Sequence, residues 1–258
     1  MMRNYYFVVP SLPPLVLHQR PEIAFAELMA RLEMNVSRRD LEKLKLIRRF
    51  VDIYNIRALF MEEPIDPRGN FNEKELDEAL LVHTSLPDYI FDFLDQFEKV
   101  ADKIRNFSGL LAQFFNEEIP KQKGFLRQYL IFEREWRLIL LALRAKQLNR
   151  DVVKELQFED PTDPLVAHIL AQKDLGTYEP PSEYAEVKEL IASCFLDPWA
   201  ENLAFAEYRF RKVAELAEKG LFTIDQILCY MIQLMIIENI QELDAERGNM
   251  VLATFKSG

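Results

Sequence analysis

Pro120 to Asn149 reads PKQKGFLRQYLIFEREWRLILLALRAKQLN. No proline follows the first residue and Gly124 is the only glycine. Leu126, Leu130, Trp136, Ile139, Leu140 and Leu143 recur at helical spacing, which predicts a single long helix. Its central part is apolar almost all the way round, the pattern of a helix enclosed by others.

A second such helix is expected near the carboxyl end, where the Thr223 to Gln226 pattern resembles a capping box. From there to Ile237 the circumference is apolar except for a narrow stripe of Gln226, Tyr230 and Gln233, which Gln241 extends. A helix of this kind lies at the centre of a bundle. Glu238 and Asn239 then interrupt the apolar surface. Buried polar groups need fixed partners, so this pair is expected to brace the helix against the long one carrying Trp136 and Arg137.

Working outward, prolines 10, 13 and 14 keep the first 18 residues from forming a helix, so a short extended segment is expected there. Pro21 suits the first turn of a helix reaching about Met34. Ser37 and Asp40 open a longer one through Leu41, Leu44, Ile47, Val51, Tyr54 and Leu59. Pro64, Pro67 and Gly69 make 62–70 a loop, and Asn72 with Glu75 can start the next helix. Two or three helices are expected from there to about Asn116. Residues 157–164 and 178–181, rich in proline, are irregular and could serve as hinges. A helix from about Pro198 to Lys219 should stop at Gly220. The fold class is therefore all-α, a multi-helix body of 1–258 with sub-units suggested at 1–70, 71–160 and 161–258.

The chain has 258 residues, 49% of them hydrophobic, enough for a packed core. Only seven glycines occur, so tight hairpins are few. The net charge of −10, with both signs interspersed, argues against a general affinity for nucleic acid or anionic lipid. The two cysteines lie far apart in apolar surroundings, which fits a reducing compartment. Neither a signal peptide nor a membrane span is expected, because the longest apolar tract, Ile227 to Ile237, is too short to cross a bilayer.

No catalytic constellation emerges. His18, His83 and His168 are scattered, without metal-ligand spacing. Neither cysteine has a cationic neighbour that would mark a nucleophile. Phosphate loops and nucleophile elbows are missing from the sequence. Asp160 and Asp163, set among prolines, read as loop and capping residues. No catalytic, cofactor or metal residue is nominated, and the chain is not expected to be an enzyme. Arg134, Arg137 and Arg144 share one helix side. They either present guanidinium groups to an acidic partner or are taken up locally, with Glu133 pairing to Arg137. Trp199, Phe205, Tyr208 and Phe210 form either core or a docking face for a partner.

Three segments look related, each placed late in a long helix: Asp52-Ile-Tyr-Asn55-Ile-Arg57-Ala-Leu-Phe60, Glu135-Trp136-Arg137-Leu-Ile-Leu140 and Glu238-Asn239-Ile-Gln-Glu-Leu243. The second continues through Ala142-Leu-Arg144-Ala-Lys146. This run resembles an "acidic, then Asn-Leu-Arg, then Leu-Arg-Ala-Lys" signature of the V-type ATPase C/d family, the stalk component lettered C in archaea and bacteria and d in eukaryotes. Ile227 to Met231, leading into Glu238, resembles that family's carboxy-terminal helix. Tyr5-Tyr6-Phe7-Val8-Val9-Pro10 is similar to the start of a small uncharacterised bacterial family, present in chlamydiae, found beside V-type ATPase genes. The sequence departs from the C/d-family pattern at Glu135 and Trp136, which replace the expected Asn and its neighbour, and at Gln241, which replaces Arg.

The resemblance implies a non-catalytic coupling subunit of the central stalk. It would join the rotor shaft to the membrane proteolipid ring, and be cytoplasmic and membrane-associated only through partner subunits. Asn55, Arg57, Arg134, Trp136, Arg137, Arg144, Glu238 and Asn239 are its candidate structural or interface residues. A generic helical adaptor is the alternative.

Overall fold

The computed structural model describes residues 5–194, 197–217 and 221–256, with side chains through 245. About 70% of the chain is helical, and the described residues contain no strand. The α-helices are α1 (Phe25–Asn35), α2 (Arg38–Phe60), α3 (Glu73–Val82), α4 (Asp88–Leu94), α5 (Val100–Arg105) and α6 (Phe107–Glu118), then α7 (Gly124–Gln147), α8 (Val152–Glu155), α9 (Pro164–Ala171), α10 (Ala185–Ser193), α11 (Pro198–Ala217) and α12 (Ile224–Lys256). No described helix is long and apolar enough to cross a membrane.

The helix starts follow the capping chemistry of the sequence. Ser37 Oγ accepts from the Asp40 amide ahead of α2, and Asn72 with Glu75 forms a reciprocal capping box ahead of α3. Gln226 Oε1 accepts from Phe222 N–H at the start of α12. The predicted long helix is present as α7, entered through a short 3-10 turn at Ile119–Lys121.

Several boundaries differ from expectation. Residues 5–11 hold a turn and a 3-10 helix at Val9–Ser11, after which Leu12 is extended and 13–16 lie in neither helix nor turn. The first helix begins at Phe25, beyond Pro21. Its N-cap residue, Ala24, has no side-chain acceptor, and the carboxylate of Glu238 on α12 takes the Phe25 N–H at 2.7 Å. Four helices, α3 to α6, occupy the stretch expected to hold two or three. Left-handed His83 and Ser85 with Pro87 separate α3 from α4, and Asn106 lies between α5 and α6. The Gly220 stop lies outside the described residues.

The chain divides into two compact units, residues 1–47 with 190–258 and residues 48–189. In the first unit α12 packs along α11 and against α1. Leu28, Leu32, Ile227, Leu228, Met231 and Leu234 are wholly buried there. The stripe residues Gln226, Tyr230 and Gln233 are half-buried, and Gln233 Nε2 donates to Phe210 O at 3.2 Å. Phe205 and Tyr208 are buried and Trp199 and Phe210 half-buried, so these aromatics are packing residues and not an open docking face.

The second unit is built on α6 and α7, with α4 against α6 and α8 and α9 against α7. Phe114, Leu138, Ile139 and Ala142 are fully enclosed. On the later part of α2 the buried positions are Asp52, Ile53, Asn55 and Ile56, whereas Tyr54, expected on the core face, is exposed. Two polar residues therefore take the place of apolar ones on the inner stripe, which the hydrophobic pattern alone could not reveal.

Candidate functional site: polar clamps on the long helices

The buried polar groups of α2 and α7 fasten the irregular segments of the second unit. On α2, Asn55 donates from Nδ2 to Asp66 O at 2.9 Å and accepts Asp66 N–H on Oδ1 at 2.8 Å. One amide side chain thus satisfies both backbone groups of a loop residue. Fully buried Asp52 accepts from the Asn70 amide at 2.6 Å, from Asn70 Nδ2 at 2.6 Å and from Phe71 N–H at 3.4 Å. Burial pushes its carboxyl above the usual carboxylate range, against the opposing pull of these donors and of Arg48. Arg48 donates to the carbonyls of Arg68 and Gly69. Gly69 fits because it has no side chain: a Cβ there would lie 2.4 Å from Asp52 Oδ1 and 2.8 Å from Asn55 Nδ2.

On α7, Arg134 and Arg137 converge on Glu159, whose side chain is 3% exposed. Arg134 Nη2 reaches Oε2 at 3.1 Å, Arg137 takes Oε1, and Arg134 Nη1 binds Asp163 at 2.9 Å. Asp163 also caps α9 through the amides of Leu165 and Val166. Glu135 accepts a 2.7 Å hydrogen bond from Tyr184. Burial, with the charges of Glu183 and Asp163 adding to it, raises the Glu135 carboxyl. A cleft of about 380 Å³ opens beside this network, with Phe115, Ile119 and Ile131 among its apolar walls. Further along α7, Lys146 Nζ donates to Lys173 O and Leu175 O at 2.6 and 2.7 Å.

Three loops are thus stapled down: 62–71 by α2, and 157–163 and 173–175 by α7. Arg134 and Arg137 spend their charge on acids of the same chain, and the local partner is Glu159. Both guanidinium groups are thus ion-paired within the chain and largely buried. Asp160 and Asp163 serve the turn and cap roles expected of them.

The other nominated residues separate. Trp136 is buried, with its ring 6.3 Å from that of Phe132. Arg57 is half-buried with its guanidinium 5.9 Å from the Phe107 ring, and Arg144 is exposed. Glu238 is held by the α1 amide described above. Asn239 is exposed, so the two residues do not brace the helix as an adjacent pair; Glu238 accepts from the start of α1. Of the three related segments only Asp52–Phe60 ends its helix. The other two lie in mid-helix on α7 and α12. Asp52, Arg48 and Glu159 carry much of the clamping and were not singled out from sequence. The signal available for Asp52 is its place at the head of the Asp52–Phe60 segment, one helical turn before Asn55.

Among the described residues no group of His, Cys, Asp and Glu converges to hold a metal ion. His18 pairs with Glu207 at 3.1 Å on the surface, His83 stacks on Phe91 and His168 meets Glu179 O. Cys229 donates to Val213 O, and burial pushes its thiol up to about 12, leaving it the protonated form of an inert core residue.

Residues 2–257 match the family described as "Protein of unknown function (DUF2764)". An uncharacterized protein of Chlamydia muridarum is 26% identical, over the whole chain and 99% of the relative. Another, from Chlamydia pneumoniae, is 28% identical over 97% of both chains. No solved structure matches.

Proposed function

The chain belongs to the DUF2764 family, and we propose that it is a non-catalytic coupling body of a V-type ATPase, a central-stalk piece between the rotor shaft and the proteolipid ring. The observation that carries this reading is the Glu135–Lys146 run of α7, with its likeness to the C/d-family signature. The clamps support it, because each of the three related segments contributes at least one polar residue that fastens a remote stretch of its unit. Asp52 and Asn55 hold the 62–71 loop, Arg137 holds Glu159 of the 157–163 loop, Glu135 holds Tyr184, and Glu238 holds the start of α1. A part that transmits torque must resist deformation, and fastened loops with satisfied backbone groups serve that need.

Purification of the tagged chain from detergent-solubilised membranes of its own organism tests the proposal. Shaft and ring subunits of a V-type ATPase are expected to come with it in fixed proportion. Recovery of that ATPase without this chain, and of this chain without ATPase subunits, would overturn the proposal.

A further inference from the structure

The last turn of α3 carries two aliphatic side chains in solvent, Leu81 at 76% and Val82 at 60% exposure. On the same helix only Leu76 and Ala79 are buried. Leu81 and Val82 follow Asp77 and Glu78 by three to five residues, which places the apolar pair and both carboxylates together on the outer surface. Among the described residues Asp77 and Glu78 form no ion pair, and the last turn holds no basic residue to offset the negative end of the helix dipole.

This end of the helix is held in place. His83 and Ser85 both take left-handed backbone conformations, at φ 52° and 64°, Thr84 N–H bonds to Ala79 O, and the His83 ring stacks on Phe91 at 4.6 Å. Left-handed backbone at non-glycine residues costs energy and persists where the surroundings impose it.

The charge around the pair is one-sided. Although acids and bases alternate over most of the chain, 62–102 contains twelve acidic and three basic residues, an excess close to the whole net charge of −10. Glu73, Asp77, Glu78, Asp88, Asp92 and Asp95 are all exposed. They are spread along the surface without converging on a metal ion, so they suit an extended cationic partner.

We propose that the outer face of α3 docks a cationic amphipathic helix of a partner protein, whose apolar stripe covers Leu81 and Val82 and whose basic residues meet Asp77 and Glu78. This is recognition of a helix by its apolar anchors, with charge setting orientation and choice of partner. It stands apart from the rotor reading, because it names the chemistry of a partner and not its machine.

The probe is a fluorescein-labelled helical peptide of leucine and lysine, read by anisotropy against the full chain, with a leucine–glutamate peptide of the same pattern beside it. The lysine peptide is expected to bind and the glutamate peptide not to. Leu81→Ser with Val82→Ser should weaken binding about tenfold, as loss of two apolar contacts does. Asp77→Asn with Glu78→Gln should weaken it and flatten its salt dependence. Leu148→Ser, another exposed leucine of the same unit, should leave it unchanged. All these positions are exposed, and circular dichroism confirms that each variant folds. Equal affinity of the double-serine variant and the parent chain, binding of both peptides alike, or no binding of either would overturn the proposal.

Discussion

Asn55 and Glu238 are polar side chains that each complete the backbone hydrogen bonding of a remote segment. Replacing Asn55 with Leu keeps similar bulk but leaves Asp66 N–H and C=O without their partner. A cost of about 1 to 3 kcal/mol per stranded group is expected, seen as a lower urea midpoint. Gly69→Ala should destabilise through a different route, by forcing its methyl into Asp52 and Asn55. In the first unit Glu238→Ala removes a cap and should cost about 0.5 to 2 kcal/mol, whereas Asn239→Leu, in solvent, should shift stability by less than about 0.5 kcal/mol. An unfolding midpoint for Asn239→Leu as low as that of Glu238→Ala would contradict this division of roles. Sequence marked both residues as unusual because they break an apolar surface. It could not rank them, because a turn of roughly 100° about the helix axis separates a residue facing a partner from its neighbour facing water.

Element by element, the cap and breaker signals placed α2, α3, α7 and α12 well, because capping boxes and prolines act locally. The start of α1 was misplaced for the opposite reason: its cap comes from a residue 213 positions away. The ion network on α7 was legible only by half, since the arginines are in plain view and the identity of their acid depends on where 157–164 folds. Glu159→Gln is expected to cost about 3 to 5 kcal/mol, because it leaves two largely buried guanidinium groups short of a countercharge. Chemical denaturation at low and high salt measures it, and a loss below about 1 kcal/mol would mean that the network is solvated. Glu135 supplies a pH test. Its folded carboxyl is raised above the ordinary value of 4.5, so its favourable contribution is full below that value and is lost as pH rises through the folded one. Glu135→Gln keeps an acceptor for Tyr184 but cannot ionise. Urea midpoints across this pH range should therefore fall less with rising pH in the variant than in the parent chain.

For the whole molecule, composition and periodicity sufficed for the all-α class, whereas the grouping of helices into units depended on contacts that no local pattern encodes. One unit is continuous in sequence, residues 48–189, and the other joins the two ends of the chain. The backbone bond from Tyr5 N–H to Phe222 O and the cap from Glu238 to Phe25 both belong to the second kind. On a ribosome, then, the chain has a built-in order of events. The 48–189 unit has all its parts once they clear the exit tunnel, while residues 1–47 must wait, unsatisfied, for α11 and α12 to be made. Arrested nascent chains with residues through 189 outside the ribosome should resist protease within 48–189 and be cut readily ahead of it. Resistance at the amino-terminal end should appear only on release of the full chain. Any binding factor that shields the waiting segment during synthesis would meet α1 with its buried face, Leu28 and Leu32, still bare.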